Sequence, residues 1–151
     1  MDVMQPETAP ARSPAKGNAQ QPRPLADGKG QTKRRKRSGH IGAWVEPRRD
    51  GLYLPTADAW IDPAIPVARA LVTHGHADHA RSGHGAVWAT PETLAIMGVR
   101  YGDQIAGHAS PIGYGERLDI GGGITASFHP AGHVLGSAQI RLERDGEVVV
   151  V

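Results

Sequence analysis

The sequence contains no cysteine. That excludes disulfides, thiolate zinc knuckles and a thiol nucleophile, and it fits a cytoplasmic setting. Aromatic residues are scarce, with one Phe, three Trp and three Tyr, whereas glycine occurs 20 times. Such a balance suits a loop-rich α/β enzyme better than a helical bundle. No apolar run approaches the length of a membrane span, and no hydrophobic signal core follows the start Met, so no membrane association is expected. Lysine is absent after Lys36. The 151 residues amount to one domain at most.

Charge divides the chain. Residues 1–40 carry nine Lys or Arg against three acids, whereas residues 41–151 carry eight Arg against twelve acids. The first forty residues are dominated by Pro, Ala, Gln, Gly, Ser and Lys, and nothing apolar recurs with a period. They read as a disordered tail. Within it Lys33, Arg34, Arg35, Lys36 and Arg37 form a compact basic run. It reads as a solvated, solubilising segment or as an arm that attracts phosphate backbones without reading bases, with a nuclear signal as a third reading that nothing else in the sequence supports.

The centre of the ordered part is Leu71-Val-Thr-His-Gly-His-Ala-Asp-His-Ala80. A short apolar run enters it, and four potential metal ligands follow within six positions. Imidazole and carboxylate together suit a catalytic zinc site better than a hard-cation oxygen cage. In an extended loop His74 and His76 project to the same side. Asp78 and His79 come from the following turn and reach a second point in space. The stretch can therefore feed two metal ions.

The flanking chain alternates strand and helix signals. Strands are expected at 41–45, 51–54, 58–62, 70–73 and 86–89, with a turn over 47–51. Pro55 and Pro63 bound two of them. Asp62 ends its strand, where a carboxylate can accept hydrogen bonds from a neighbouring loop or orient a metal-bound histidine from behind. Thr90 is a good N-cap, Pro91 suits the first helical position, and the helix is expected to reach Met97 and stop at Gly98. Residues 101–115 read as a Gly-rich connection. His84 reads as a surface histidine rather than a further residue supporting the ligands from behind, and His108 has no assigned role. Two further strands flank Gly121-Gly-Gly123, and the second delivers His133 in a Gly-flanked loop. A strand over 137–143, a turn at Asp145-Gly146 and a partner strand from Glu147 complete the pattern. The chain stops inside that last apolar run, which reads as an N-terminal fragment of a domain. Two Gly-flanked loops side by side could bring His74, His76 and His133 to one metal.

His74-Gly-His-Ala-Asp-His79 resembles the His-x-His-x-Asp-His signature of the metallo-β-lactamase superfamily. Asp62, in Trp60-Ile-Asp-Pro63, sits where that family has its structural aspartate. Ala131-Gly-His-Val-Leu-Gly-Ser137 is similar to the third motif of the β-CASP nuclease branch. The wider phrase Val72-Thr-His-Gly-His-Ala-Asp-His-Ala-Arg-Ser-Gly-His84, followed by His129-Pro-Ala-Gly-His133, most resembles the bacterial ligase-associated DNA exonucleases. The Ala131-Gly-His-Val-Leu-Gly136 form also resembles messenger-RNA 3′-end processing factors. The resemblance runs from about residue 41 to the end.

It implies an α/β fold: the N-terminal half of the αββα metallo-β-lactamase sandwich, over residues 41–151. It implies two zinc ions, with His74, His76 and His133 on one and Asp78 and His79 on the other. Asp78 is also the implied catalytic carboxylate, and Asp62 orients the histidines. The family's bridging aspartate, a further histidine ligand and the cap-domain acid are not found up to Val151. This chain alone is therefore expected to bind metal weakly and to hydrolyse little. The implied activity is metal-dependent phosphodiester hydrolysis of nucleic acid, as a DNA exonuclease of repair with DNA ligase or repair proteins as partners. An RNA-processing nuclease and a non-catalytic truncated metal-binding or interaction domain are the alternatives. A small-molecule hydrolase fits poorly with the form of the motif around His133.

Overall fold

The structure, a computed structural model, describes residues 44–151. The basic run and the disordered-tail expectation lie outside the described residues, as do positions 41–43 of the first expected strand. Ten strands and one α-helix follow in chain order. The first sheet comprises β1 (Glu46–Arg48), β2 (Gly51–Leu54), β3 (Ala59–Ile61), β4 (Arg69–Leu71), β5 (His84–Ala89) and β6 (Ala106–Pro111), side by side in that order. The strands β1, β2 and β3 meander antiparallel, and β3 to β6 run parallel. The second sheet is antiparallel and comprises β7 (Arg117–Asp119), β8 (Thr125–Pro130), β9 (Ala138–Arg144) and β10 (Glu147–Val150). The helix α1 (Pro91–Tyr101) connects β5 to β6 by way of a short 3-10 turn.

Two apolar cores define the layers. One lies between the sheets and joins Leu54, Ile61 and Leu71 to Phe128, Ile140 and Leu142. The other joins Ala70, Val87 and Ala89 of the parallel strands, and Val72 just after β4, to Met97 of α1. Alternation along β4 and β5 explains both, since Leu71 and Trp88 face the first core and their neighbours Ala70, Val87 and Ala89 the second. Truncating a fully buried side chain such as Phe128 to alanine costs roughly 3–5 kcal/mol. The order helix, sheet, sheet is the expected αββα sandwich in three of its four layers among the described residues.

Several elements depart from expectation. The first strand begins at Glu46, so Pro47, expected in a turn, lies in a strand. β1 is an edge strand, where a missing N–H on the solvent side costs nothing. The helix passes Gly98 and ends at Tyr101, with Gly102 at φ +58° donating its N–H to the Gly98 carbonyl. The expected connection over 101–115 contains β6. His84 is buried at the start of β5, not exposed, and its Nδ1 accepts the Val67 N–H at 3.2 Å. The Asp145-Gly146 turn forms as expected, with both residues at positive φ.

Candidate metal centre

The parallel strands end on one edge, and the candidate site occupies that edge, where open α/β sheets bind ligands. Asp62 follows β3, the ligand-rich loop follows β4, and Thr90 follows β5 as the α1 N-cap, its side chain accepting the Thr93 N–H. Beyond Leu71 the chain stays against the neighbouring strand, with the Val72 N–H on the Trp88 carbonyl at 2.9 Å. It then turns once: the N–H groups of His79 and Ala80 both return to the His76 carbonyl.

The loop carrying His133 comes from the second sheet. Ser137 Oγ accepts the N–H groups of His133 and Val134 at 3.1 and 3.2 Å, which closes the loop on itself. The Gly136 carbonyl accepts hydroxyl hydrogen bonds from Thr90 at 2.6 Å and Thr93 at 3.1 Å, which fastens the loop to the start of α1. Gly136 stands at φ +74°, and a Cβ there would lie 2.7 Å from Glu92 Cβ and 2.8 Å from the Thr93 nitrogen. Only glycine fits this approach. The Ala138 N–H donates to the Thr73 carbonyl at 2.8 Å, so the two loops are joined directly.

Three ring nitrogens converge as a result. His74 Nε2 lies 3.2 Å from His76 Nδ1, and His133 Nε2 lies 3.4 Å from the same atom. Around a tetrahedral zinc with bonds of about 2.0–2.1 Å, ligand nitrogens stand about 3.3–3.4 Å apart. The donor set fits that ion in type and spacing. His74, His76 and His133, expected on one metal, do lie together.

Asp62 governs the tautomers. Its Oδ1 accepts the Thr73 N–H at 2.8 Å, and its Oδ2 accepts the Thr73 hydroxyl at 2.5 Å. With its proton committed, Thr73 Oγ1 accepts from His74 Nδ1 at 2.9 Å, which leaves His74 Nε2 with a free lone pair. The same Asp62 Oδ2 faces His79 Nδ1 at 2.9 Å, which frees His79 Nε2. These tautomers follow from the hydrogen-bond network. The carboxylate–histidine pairing is the one that orients ligand imidazoles in metal sites. Asp62 adopts φ +47°, a left-handed conformation that aspartate tolerates better than most residues, and the turn swings its carboxylate back over the loop.

The other expected ligands are less enclosed. Asp78 Oδ2 lies 3.7 Å from His79 Nε2, and the Asp78 side chain is 75% exposed. Asp78 joins no cluster of three ligand atoms among the described residues. The second such cluster consists of Asp62, His74 and His79, and its Asp62–His79 contact is already a hydrogen bond. The Asp78 carboxyl is held below its ordinary range, first by its own backbone N–H and then by the neighbouring histidines. Burial, reinforced by His79, pushes His74 down and keeps its imidazole neutral.

Thr73, Thr93 and Ser137 were not singled out in the sequence, and Thr90 was expected only as an N-cap, not as a partner of the Gly136 carbonyl. Thr73 and Ser137 adjoin ligand motifs, and small hydroxyl residues there are a usable signal for side-chain bonds to nearby backbone. Asp62 was found, but its reach to both halves of the site needed the fold. His129 pairs with Ser127 at 3.0 Å, outside both ligand clusters.

No family model matches the chain. Three curated proteins are similar in sequence. A probable DNA ligase from Opitutus terrae is 40% identical over 100 residues, 66% of this chain and 10% of that protein. Ribonuclease TTHA0252 from Thermus thermophilus is 31% identical over 108 residues, 56% of this chain and 25% of the relative. Transcription termination factor FttA from Methanosarcina mazei is 30% identical over 115 residues, 58% of this chain and 17% of the relative. The chain thus spans a tenth to a quarter of the length of the curated relatives it matches. Among solved structures, zinc-bound PqqB from Methylobacterium extorquens aligns with a TM-score of 0.43 at 16% identity, over 72% of this chain and 50% of that one. With its His-x-His-x-Asp-His and Ala-Gly-His motifs on adjoining loops and these relatives in sequence, the chain resembles the metallo-β-lactamase superfamily and, within it, the β-CASP nuclease branch.

Proposed function

We propose that residues 41–151 form the N-terminal part of a metallo-β-lactamase nuclease domain that hydrolyses nucleic-acid phosphodiesters with two zinc ions. One observation carries the reading: three imidazole nitrogens from two sheets meet at 3.2–3.4 Å, as zinc ligands do. His74, His76 and His133 hold one ion, and Asp78 and His79 help to hold the other. Zinc in such a site lowers the pKa of water toward neutrality and offsets the charge that grows on a reacting phosphate.

The protein's own part is orientation and proton handling. Asp62 keeps His74 and His79 in the tautomers that turn Nε2 outward. Asp78, ionised at neutral pH, accepts a proton or hydrogen bond from attacking water at its exposed oxygens. With the bridging aspartate, a further histidine and the general acid supplied by other segments, this chain alone is close to inactive. The basic run Lys33 to Arg37 raises the local concentration of polyanion.

DNA is the preferred substrate in this reading, with exonuclease action in repair beside a ligase in the cytoplasm. The probable DNA ligase among the relatives, matched at 40% identity, supports it. RNA processing is the second reading, supported by the ribonuclease. The product of the whole gene, supplied with zinc, is to be assayed on matched DNA and RNA oligonucleotides. Faster cleavage of DNA, lost by at least a thousandfold in His76→Ala, is expected. Preference for RNA would move the assignment to the second reading, and unchanged cleavage by His76→Ala would overturn the metal assignment. Metal-dependent binding without cleavage would favour a non-catalytic domain.

A further inference from the structure

The described residues carry more acid than base, a poor surface for a polyanion. A phosphodiester strand needs a local cation at the site, and the arginines differ in availability. Arg69 donates to the carbonyls of Ala57 and Ile120, and Arg100 to that of Gly75. Arg117 and Arg141 pair with Glu143, and Arg144 with Asp145. Among the described residues Arg49 and Arg81 enter no ion pair or side-chain hydrogen bond. Of these two, Arg49 lines a cleft of about 330 Å³ together with Arg48, Asp62, Asp78 and His79.

The turn that carries Arg49 is fixed against the metal edge. Strand register sets Leu52 opposite Ile61, so Gly51 stands beside the end of β3, where Asp62 follows. Gly51 is at φ +138°, and a Cβ there would lie 2.9 Å from the Ile61 carbonyl oxygen. The Asp50 carbonyl accepts the Ala64 N–H at 2.8 Å, which ties the turn to the loop after Asp62. Behind Arg49, Arg48 is held by Glu46 at 2.7 Å and stacks on Tyr53 with its guanidinium carbon 3.9 Å from the ring centroid. One arginine is therefore anchored and its neighbour is uncommitted among the described residues, beside the half of the site that holds Asp78 and His79.

We infer that Arg49 is a substrate-binding residue that grips a phosphate next to the one being cleaved, on the Asp78 and His79 side of the site. The guanidinium fork matches the non-bridging oxygens of a phosphodiester. Its placement on a seated turn means that little ordering is needed when the strand arrives. This assignment rests on the nucleic-acid reading above, but its test does not depend on cleavage.

The product of the whole gene is to be titrated into a fluorescently labelled single-stranded DNA oligonucleotide, with anisotropy read across a salt series. Arg49→Gln should weaken binding about tenfold and lower the slope of log affinity against log salt by about 0.7, as one lost phosphate contact does. Arg49→Lys should keep the slope. Arg117→Gln, the same charge change on the second sheet, should alter neither. Full-strength binding by Arg49→Gln, an equal loss in Arg117→Gln, or no binding by the unaltered protein would each overturn the inference. Arg49-dependent binding without hydrolysis would sink the nuclease reading and leave this one standing. Cleavage and binding that both ignore Arg49 would do the reverse.

Discussion

The two halves of the candidate centre are built differently. His74, His76 and His133 come from two sheets, and their nitrogens converge because separate backbone layers are locked together at the Thr73 carbonyl and at Gly136. Asp78 and His79 come from one turn of one loop, and a single carboxylate, Asp62, orients His79 from behind. The first half depends on packing over long sequence separations. The second depends on a local hydrogen-bond network at a strand end. Damage to the docking of the layers should therefore hurt the trio first, and damage to the network should hurt the pair first.

The sharpest way to break that contrast is Gly136→Ala. The new Cβ meets Glu92 Cβ, the Thr90 hydroxyl and the Thr93 nitrogen at 2.7–2.8 Å, on a residue at φ +74°. Strain and clash together should cost roughly 2–4 kcal/mol, read as a lower denaturation midpoint. Zinc held by the trio should weaken more than the fold does. A variant as stable as the parent, with unchanged zinc stoichiometry, would show that the loop is not seated as described.

Asp62→Asn is the next in size and acts on the other half. Asparagine keeps the shape and tolerates the left-handed backbone, but its NH2 group would face either the Thr73 N–H at Oδ1 or both donors that meet at Oδ2. Loss of such an orienting carboxylate typically lowers metal affinity by about 10–100-fold. Because Thr73 relays Asp62 to His74, the trio should weaken as well, though less. Calorimetric zinc titration that finds both sites unaltered would contradict the relay.

The smallest effect concerns His84, which accepts the Val67 N–H just beyond the Asp62 loop. Burial pushes its pKa below the ordinary 6.5. The unfolded chain therefore takes up the proton first, so this residue costs no stability near pH 7 and stability falls as pH drops below about 6.5. Thermal midpoints followed from pH 7.5 to 5.5 should fall less steeply in His84→Gln than in the parent. Parallel curves would show that His84 does not contribute.

The ligand-bearing loops were legible because their chemistry is local. His74, His76, Asp78 and His79 lie within six consecutive positions, and Asp145-Gly146 states its own turn. What escaped depends on neighbours. Helix α1 outlasts Gly98 because its last turn has tertiary partners: the Tyr101 hydroxyl donates to the Ala80 carbonyl, and Arg100 to the Gly75 carbonyl. β6 has no alternating pattern because it is an edge strand that lies largely in solvent, so pairing with β5 alone defines it. His84 looks like any polar loop residue until β5 carries it under the loop after β3. Thr73 gains its role only when Asp62, eleven positions earlier, folds back onto it.

The link between Ala138 and Thr73 has a mechanical consequence. An ion gripped by His74, His76 and His133 would act as a rivet across the seam between the two sheets. Its removal would cost more than a reactive centre, since the sheets would then be pinned at that edge by hydrogen bonds alone. Chelation should therefore first raise hydrogen exchange at the Ala138 amide, at the seam itself, before the strands on either side begin to open.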